Sequence, residues 1–186
     1  MQRLLRSSLW VMTLAWPLVA WLSITHARWR WLLAVMGGLF LLRWLMSGRP
    51  KNAALAPGKY LAACGALLCL ASFWLHENHL LLWYPVAVNI VMLLVFGGSL
   101  LSGMPLVERL ARLREPNLPH VAVVYTRRVT QVWCLFFLVN GSVALATCLA
   151  GNMALWTGWN GMASYLLMGL LMGGEWLVRQ RLRRRQ

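Results

Sequence analysis

Apolar residues come in long unbroken runs along this chain, without the strand-like alternation or the one-faced helical pattern of a soluble domain. Six runs approach the ~20 residues that a helix needs to cross a hydrocarbon core of ~30 Å. They cover residues of about 5–25, 29–46, 60–75, 80–101, 129–150 and 159–178. Continuous apolarity favours helices over a barrel, because a helix satisfies its backbone N–H and C=O groups within the segment. The expected fold is therefore all-α: a single polytopic membrane domain, 1–186, built as a bundle of about six transmembrane helices. The third run is short; it can extend into 53–58 or be met by local thinning of the bilayer. Arg3 and Arg6 ahead of the first run resemble the start of a signal peptide. Trp10, Trp16, Pro17 and Trp21 interrupt that run, however, and no A-x-A cleavage site follows, so an uncleaved first helix is expected.

The connection between the fourth and fifth runs has a different pattern. Leu106, Val107, Leu110 and Leu113 share one helical face, with Glu108, Arg109 and Arg112 opposite and Glu108 and Arg112 placed as an i,i+4 pair. Pro105 can open this helix and Glu115-Pro116 can close it. The segment 105–115 is expected to be an amphipathic helix lying in the cytoplasmic-side interface. Pro116 and Pro119 then lead through Tyr125-Thr126-Arg127-Arg128 to the fifth run.

Composition agrees with a membrane protein and charge gives it a direction. Mean hydropathy is +0.62 and only 12% of residues are charged, outside the range of a soluble domain. The formal net charge is +14, from eighteen Lys and Arg against four acidic residues, all of them Glu. With the N-terminus inside, sixteen of those eighteen fall in cytoplasmic segments, including the basic tail at 179–186. The positive-inside rule then places both termini in the cytoplasm. Arg28 and Arg30 are the exceptions. Flanked by Trp29 and Trp31, they can reach headgroup phosphates from an aromatic-anchored turn; the alternative is a shallow first hairpin that never fully spans. Because topology accounts for the charge, nucleic-acid binding is not expected, and the Arg clusters suit anionic lipids or an acidic protein.

Polar residues inside the runs are the candidate sites, since each is costly in lipid unless paired. Asn89 lies one turn after Pro85, suited to bridging helices or lining a pocket. Gln131 and Asn140 are nine residues apart and point to roughly opposite faces; Asn140-Gly141 suits an interhelical hydrogen bond, while Gln131 can snorkel. Glu175, the one acidic residue in a run, precedes Arg179 by four and can form an ion pair or face a cavity. Gly-Gly pairs at 37–38, 97–98 and 173–174, Gly169 with Gly173, and Ser142 with Ala146 suit close helix packing. Cys64, Cys69, Cys134 and Cys148 all lie in apolar runs without a CxxC or zinc spacing, as packing residues do. His76-Glu77-Asn78-His79 is a poor metal set on a short turn, and no metal or other cofactor is expected.

The absent residues exclude much chemistry. Without aspartate there is no Asp-based diphosphate site, aspartyl dyad or His-x4-Asp motif. Nor is there a phosphate loop, a Gly-x-Ser-x-Gly or a His-Glu-x-x-His. No catalytic residues are assigned.

From about residue 83 onward the chain carries Trp83-Tyr84-Pro85 with Asn89, Pro105-Leu106-Val107-Glu108-Arg109-Leu110-Ala111-Arg112-Leu113 and Glu115-Pro116-Asn117-Leu118-Pro119. It continues with Tyr125-Thr126-Arg127-Arg128-Val129-Thr130-Gln131-Val132-Trp133-Cys134, Phe136-Phe137, Asn140-Gly141, Tyr165-Leu166-Leu167-Met168-Gly169 and Gly174-Glu175-Trp176-Leu177-Val178-Arg179. These stretches resemble an uncharacterised family of small bacterial inner-membrane proteins associated with gene clusters of fatty-acid-synthase type, including those for aryl polyene lipids. The resemblance implies a membrane accessory of such a pathway and transfers no activity. Acyl carrier proteins are acidic, and the segment 109–128 is a basic platform on the side that would receive one. The expected role is a non-catalytic inner-membrane anchoring component that contacts acidic carrier proteins, other enzymes of the cluster or anionic lipids through Arg109, Arg112, Arg127 and Arg128. The alternative is a small lipid transporter or flippase with Asn89, Asn140 and Glu175 along an intramembrane path. Oligomeric state is left open.

Overall fold

The computed structural model describes residues 31–46, 57–75, 78–113 and 115–183, and every regular element among them is helical. The first predicted run, the Arg28/Arg30 turn, His76-Glu77 and the last three residues lie outside this set. Helix α1 is Trp31–Met46 and α2 is Pro57–Leu75. A 3-10 turn, Asn78–Trp83, leads into α3, Tyr84–Leu101. The short α4 is Leu106–Arg112 and the long α5 is His120–Leu149. Next come α6, Met153–Gly158, a π turn at Trp159–Ala163, and α7, Ser164–Arg183, in one unbroken rod.

Three stretches are long and apolar enough to cross a membrane: Leu80–Leu101, His120–Leu149 and Met153–Arg181. A shorter apolar stretch, Lys59–Ser72, lies in α2. Their leucines, isoleucines and valines mostly face outward, Leu94 and Leu170 being 68% and 72% exposed. Leucines turned outward on helices of this length suit lipid, not water. The chain is an α-helical membrane protein.

Two of the expected boundaries move. The fifth helix starts at His120, directly after Pro119, so Tyr125 to Arg128 are helical and not part of a lead-in. Pro119 supplies the extended N-cap, and nothing between it and Val129 breaks a helix. The last rod starts at Met153 because Asn152 caps it, its Oδ1 accepting from the N–H groups of Ala154 and Leu155 at 3.0 and 3.2 Å. It also continues as helix to Arg183, through much of the expected basic tail.

Glycines end two helices in the way that keeps their connections short. Gly103 follows α3 at φ +81° and Gly151 follows α5 at φ +64°, the left-handed conformation that a side chain disfavours. The glycines of the helices, including the pairs expected at packed faces, behave unequally. A Cβ at Gly37 would meet Cys69 at 3.1 Å, one at Gly65 would meet the Phe40 ring at 2.9 Å, and one at Gly141 would meet the Asn89 Cβ at 2.9 Å. By contrast, nothing lies within 4 Å of a Cβ at Gly38, Gly97, Gly98, Gly169, Gly173 or Gly174. Ser142 and Ala146 are likewise exposed. Close backbone approach therefore joins α1 to α2 and α3 to α5, and the glycine pairs of α3 and α7 are not used for packing among the described residues.

Two apolar clusters fill the interior. One joins Met36, Phe40, Ala62, Ala66 and Cys69 of the α1–α2 hairpin to Leu81, Leu82, Tyr84 and Trp156. The other holds Phe96, Leu106, Val129, Trp133 and Phe137, with Phe96 meeting Phe137 edge-on at 5.2 Å. All four cysteines are free, and Cys69 is fully buried as a packing residue.

Close contact at Gly141 predicts an asymmetry between glycines. Gly141→Val should cost about 1–3 kcal/mol by forcing α3 from α5, seen as a lower thermal midpoint in detergent. Gly173→Ala, with open space around the new methyl, should leave the midpoint unchanged.

Candidate functional site

Two features define the candidate site: a chain of polar side chains in the middle of the membrane-crossing helices, and a set of charges at one end. The polar chain begins where α3 begins. Pro85 sits in the first turn of α3, where its missing N–H costs little. It still offers no hydrogen to the carbonyls behind it. The carbonyl of Leu82, three residues back, is taken up from outside: Trp156 Nε1–H donates to it at 3.0 Å, and so does the Cys148 thiol at 3.0 Å. One turn on, Asn89 Nδ2 donates to the Pro85 carbonyl at 2.8 Å.

Asn89 thereby presents its Oδ1 to α5. Asn140 Nδ2 donates to it at 3.1 Å, and Trp159 Nε1 in turn donates to Asn140 Oδ1 at 3.1 Å. Both asparagines are 6% exposed. The π turn matters here, because an extra residue in the turn lets consecutive side chains reach one neighbour. Trp159 meets Asn140, while Asn160 Nδ2 donates to Thr147 Oγ1 at 3.2 Å and to the Trp156 carbonyl at 3.0 Å. Three membrane-crossing rods are joined through amide, indole and hydroxyl groups. Asn140 lies nine residues from the end of α5 at Leu149, and Leu101 lies twelve residues from Asn89 along α3. At 1.5 Å per residue those steps are about 14 and 18 Å, which puts the bridge near the middle of a ~30 Å core.

The Asn89–Asn140 pair also fixes a register. Twelve residues along α3 from Asn89 is Leu101, where α3 ends, and twelve back along α5 from Asn140 is Arg128. Arg127 and Arg128 are exposed at the level where α3 leaves the apolar layer. Residues 120–126 of α5 extend beyond it, and Leu106 of α4 packs in one cluster with Val129 and Trp133 of α5. Tyr125 Oη donates to the Glu175 carbonyl at 3.1 Å, so α7 passes the same level near its C-terminal part. Every described charged side chain of residues 80–181 belongs to this one end: Glu108, Arg109, Arg112, Glu115, Arg127, Arg128, Glu175, Arg179 and Arg181.

The candidate residues thus separate. Asn89 and Asn140 come together, a pairing that the sequence did not name. Gln131 is exposed on another face. Glu175 makes no ion pair with Arg179: among the described residues the ion pair is Glu108–Arg112, at 2.8 Å. Glu175 stands level with Tyr125, whose Oη donates to its backbone carbonyl. Arg109 and Arg112 are held locally. Arg109 donates to the Met104 carbonyl at 2.9 Å and to Ser102 Oγ at 2.7 Å. Arg112 donates to Glu108 Oε1 and, at 3.0 Å, to the Pro116 carbonyl. The expected face of α4 is also divided. Leu106 and Glu108 are buried, whereas Leu110 and Leu113 turn outward.

Among the described residues no three His, Cys, Asp or Glu side chains gather to hold a metal. Sequence reasoning missed Trp156, Trp159, Asn160 and Thr147. Asn160 is the second residue of the sixth predicted run, where a polar side chain looks like a flank; only the π turn reveals its partner. The chain matches no family model, no curated protein and no solved structure.

The bridge can be measured by a double-mutant cycle. Asn89→Ala, Asn140→Ala and the double variant, unfolded reversibly in detergent or bicelles, should show a coupling of about 0.5–1.7 kcal/mol. Strictly additive costs would mean that the two amides do not meet.

Proposed function

We propose that this chain is an accessory, anchoring component of the bacterial inner membrane. In this reading it crosses the membrane six times with both termini in the cytoplasm, and holds an acidic partner of a lipid- or aryl-polyene-type biosynthetic system against the bilayer. The observation that carries the proposal is the separation of charge from intramembrane polarity. The buried amides are engaged with one another, and the arginines collect at one end of the long helices. The positive-inside rule turns that end toward the cytoplasm. The resemblance of residues 83–179 to proteins of fatty-acid-synthase-type clusters supplies the class of partner, and acyl carrier proteins have the complementary sign.

Of the four candidate arginines, Arg127 and Arg128 are the docking pair. They are consecutive, exposed and on a rigid helix, whereas Arg109 and Arg112 use their guanidinium donors to close the turn before α4 and to neutralise Glu108. Anionic headgroups can share the same pair, since phosphate and carboxylate both accept from a guanidinium. The arrangement supports docking over lipid transport. A path through the bundle would need Asn89 and Asn140 to line an open route, but they bond directly, and Glu175 stands at the edge of the apolar layer.

The test is binding of a purified acyl carrier protein to the protein in nanodiscs. Arg127→Glu with Arg128→Glu should weaken it at least about tenfold, or ~1.4 kcal/mol, and flatten its salt dependence. Unchanged affinity in a stably inserted double variant would remove the docking proposal.

A further inference from the structure

The segment between α3 and α5 carries more exposed apolar surface than a connection in water should. Leu101 is 91% exposed and Leu113 74%, with Met104 and Leu110 also turned outward. The same segment is firmly built on its inner side. Pro105 and Leu106 are buried, and the Leu106 N–H donates to Ser99 Oγ at 2.8 Å, a cap supplied by the preceding helix. Ser99 Oγ itself donates to the Phe96 carbonyl. Glu108 is buried beside Arg112, so the one acidic side chain of α4 is turned inward and its charge is met. A seven-residue helix would not be stable alone. Here its inner side is fixed to α5 and its outer side is left apolar.

Position decides what covers that side. Leu80–Leu101 has 22 residues, about 33 Å at 1.5 Å per residue, just enough for the hydrocarbon layer. Leu101 therefore marks the layer's edge, and the residues after it begin in the headgroup zone. The outward face of α3 reaches this edge through Ile90, Leu94 and Leu101, a lipid-facing stripe that Met104, Leu110 and Leu113 continue in sequence beyond it. Arg127 and Arg128 stand at the same level, where phosphates lie. We propose that α4 and its leading turn are a membrane-interface anchor: Leu101, Met104, Leu110 and Leu113 enter the acyl–headgroup boundary of the membrane that the long helices cross. Arg109 is a positioning residue in this device, holding the Ser102–Met104 turn closed and setting the angle at which α4 meets the bilayer. The proposal concerns lipid contact alone and stands or falls apart from carrier-protein docking.

An environment-sensitive fluorescent amino acid placed singly at Leu110, Leu113 or Asn117, in the full chain in phosphatidylethanolamine–phosphatidylglycerol vesicles, tests it. At Leu110 and Leu113 the emission should be blue-shifted, quenched by lipids bearing a nitroxide near the top of the acyl chain, and little affected by aqueous iodide. At Asn117 the preference should reverse. Iodide quenching at Leu110 and Leu113 equal to that at Asn117 would overturn the proposal, and so would shielding from both quenchers, which would identify a protein surface as the cover. Arg109→Gln should reduce nitroxide quenching at Leu113 at least about twofold while inserted protein is unchanged. No change would exclude the positioning role.

Discussion

The structure turns on one buried side chain, the amide of Asn140. In water a hydrogen bond between two asparagines would add little, because solvent competes for both. In the hydrocarbon layer an amide without a partner costs several kcal/mol, so the helices are constrained to bring partners to it. Asn140 meets that demand in two directions, donating to Asn89 on α3 and accepting from Trp159 in the π turn. Its neighbour Gly141 makes the approach possible, because any side chain there would strike Asn89. Polar pairing and the small residue beside it work together, one attracting the helices and the other letting them close.

The register set at this bridge determines what happens some 18 Å away. Aligning Asn89 with Asn140 brings the end of α3 level with Arg128, leaves the first turns of α5 standing beyond the apolar layer, and gives α4 a surface to rest on. The aromatic cluster of Phe96, Trp133 and Phe137 supports the same alignment through shape. The basic end is thus a product of the interior: two exposed arginines held level with the end of α3 on one helix, with Arg109 and Arg112 engaged around the short α4. The α1–α2 hairpin joins at the opposite end, through Leu81, Leu82 and Trp156.

Much of this was legible in the residues. Run lengths gave α3 and the long apolar rods, and the gap between the fourth and fifth runs gave α4 and its Glu108–Arg112 pair. Asn89 and Asn140 were visible as polar residues that need partners in lipid, but not as partners of each other. What stayed hidden depended on geometry that no linear pattern carries. Leu106, Val107, Leu110 and Leu113 were expected to share one face, yet their exposure differs along the helix: Leu106 is buried at the end capped by Ser99, and Leu113 is exposed at the other. The role of Asn160 and Trp159 follows from a π turn, which has no periodicity to detect. Apolar residues precede and follow Glu175, and its contact with Tyr125 on another helix cannot be read from them.

The direct bonds of Asn140 to Asn89 and Trp159 make the polar centre of the bundle a closed bridge. Exchange of the Trp159 indole proton, followed by NMR on tryptophan-labelled protein in bilayers, measures that closure. A bridge in which that proton is donated to Asn140 predicts exchange at least about a hundredfold slower than for an indole at the membrane–water boundary. Exchange of the Trp159 proton as fast as that of a boundary tryptophan would mean that the bridge is open to water.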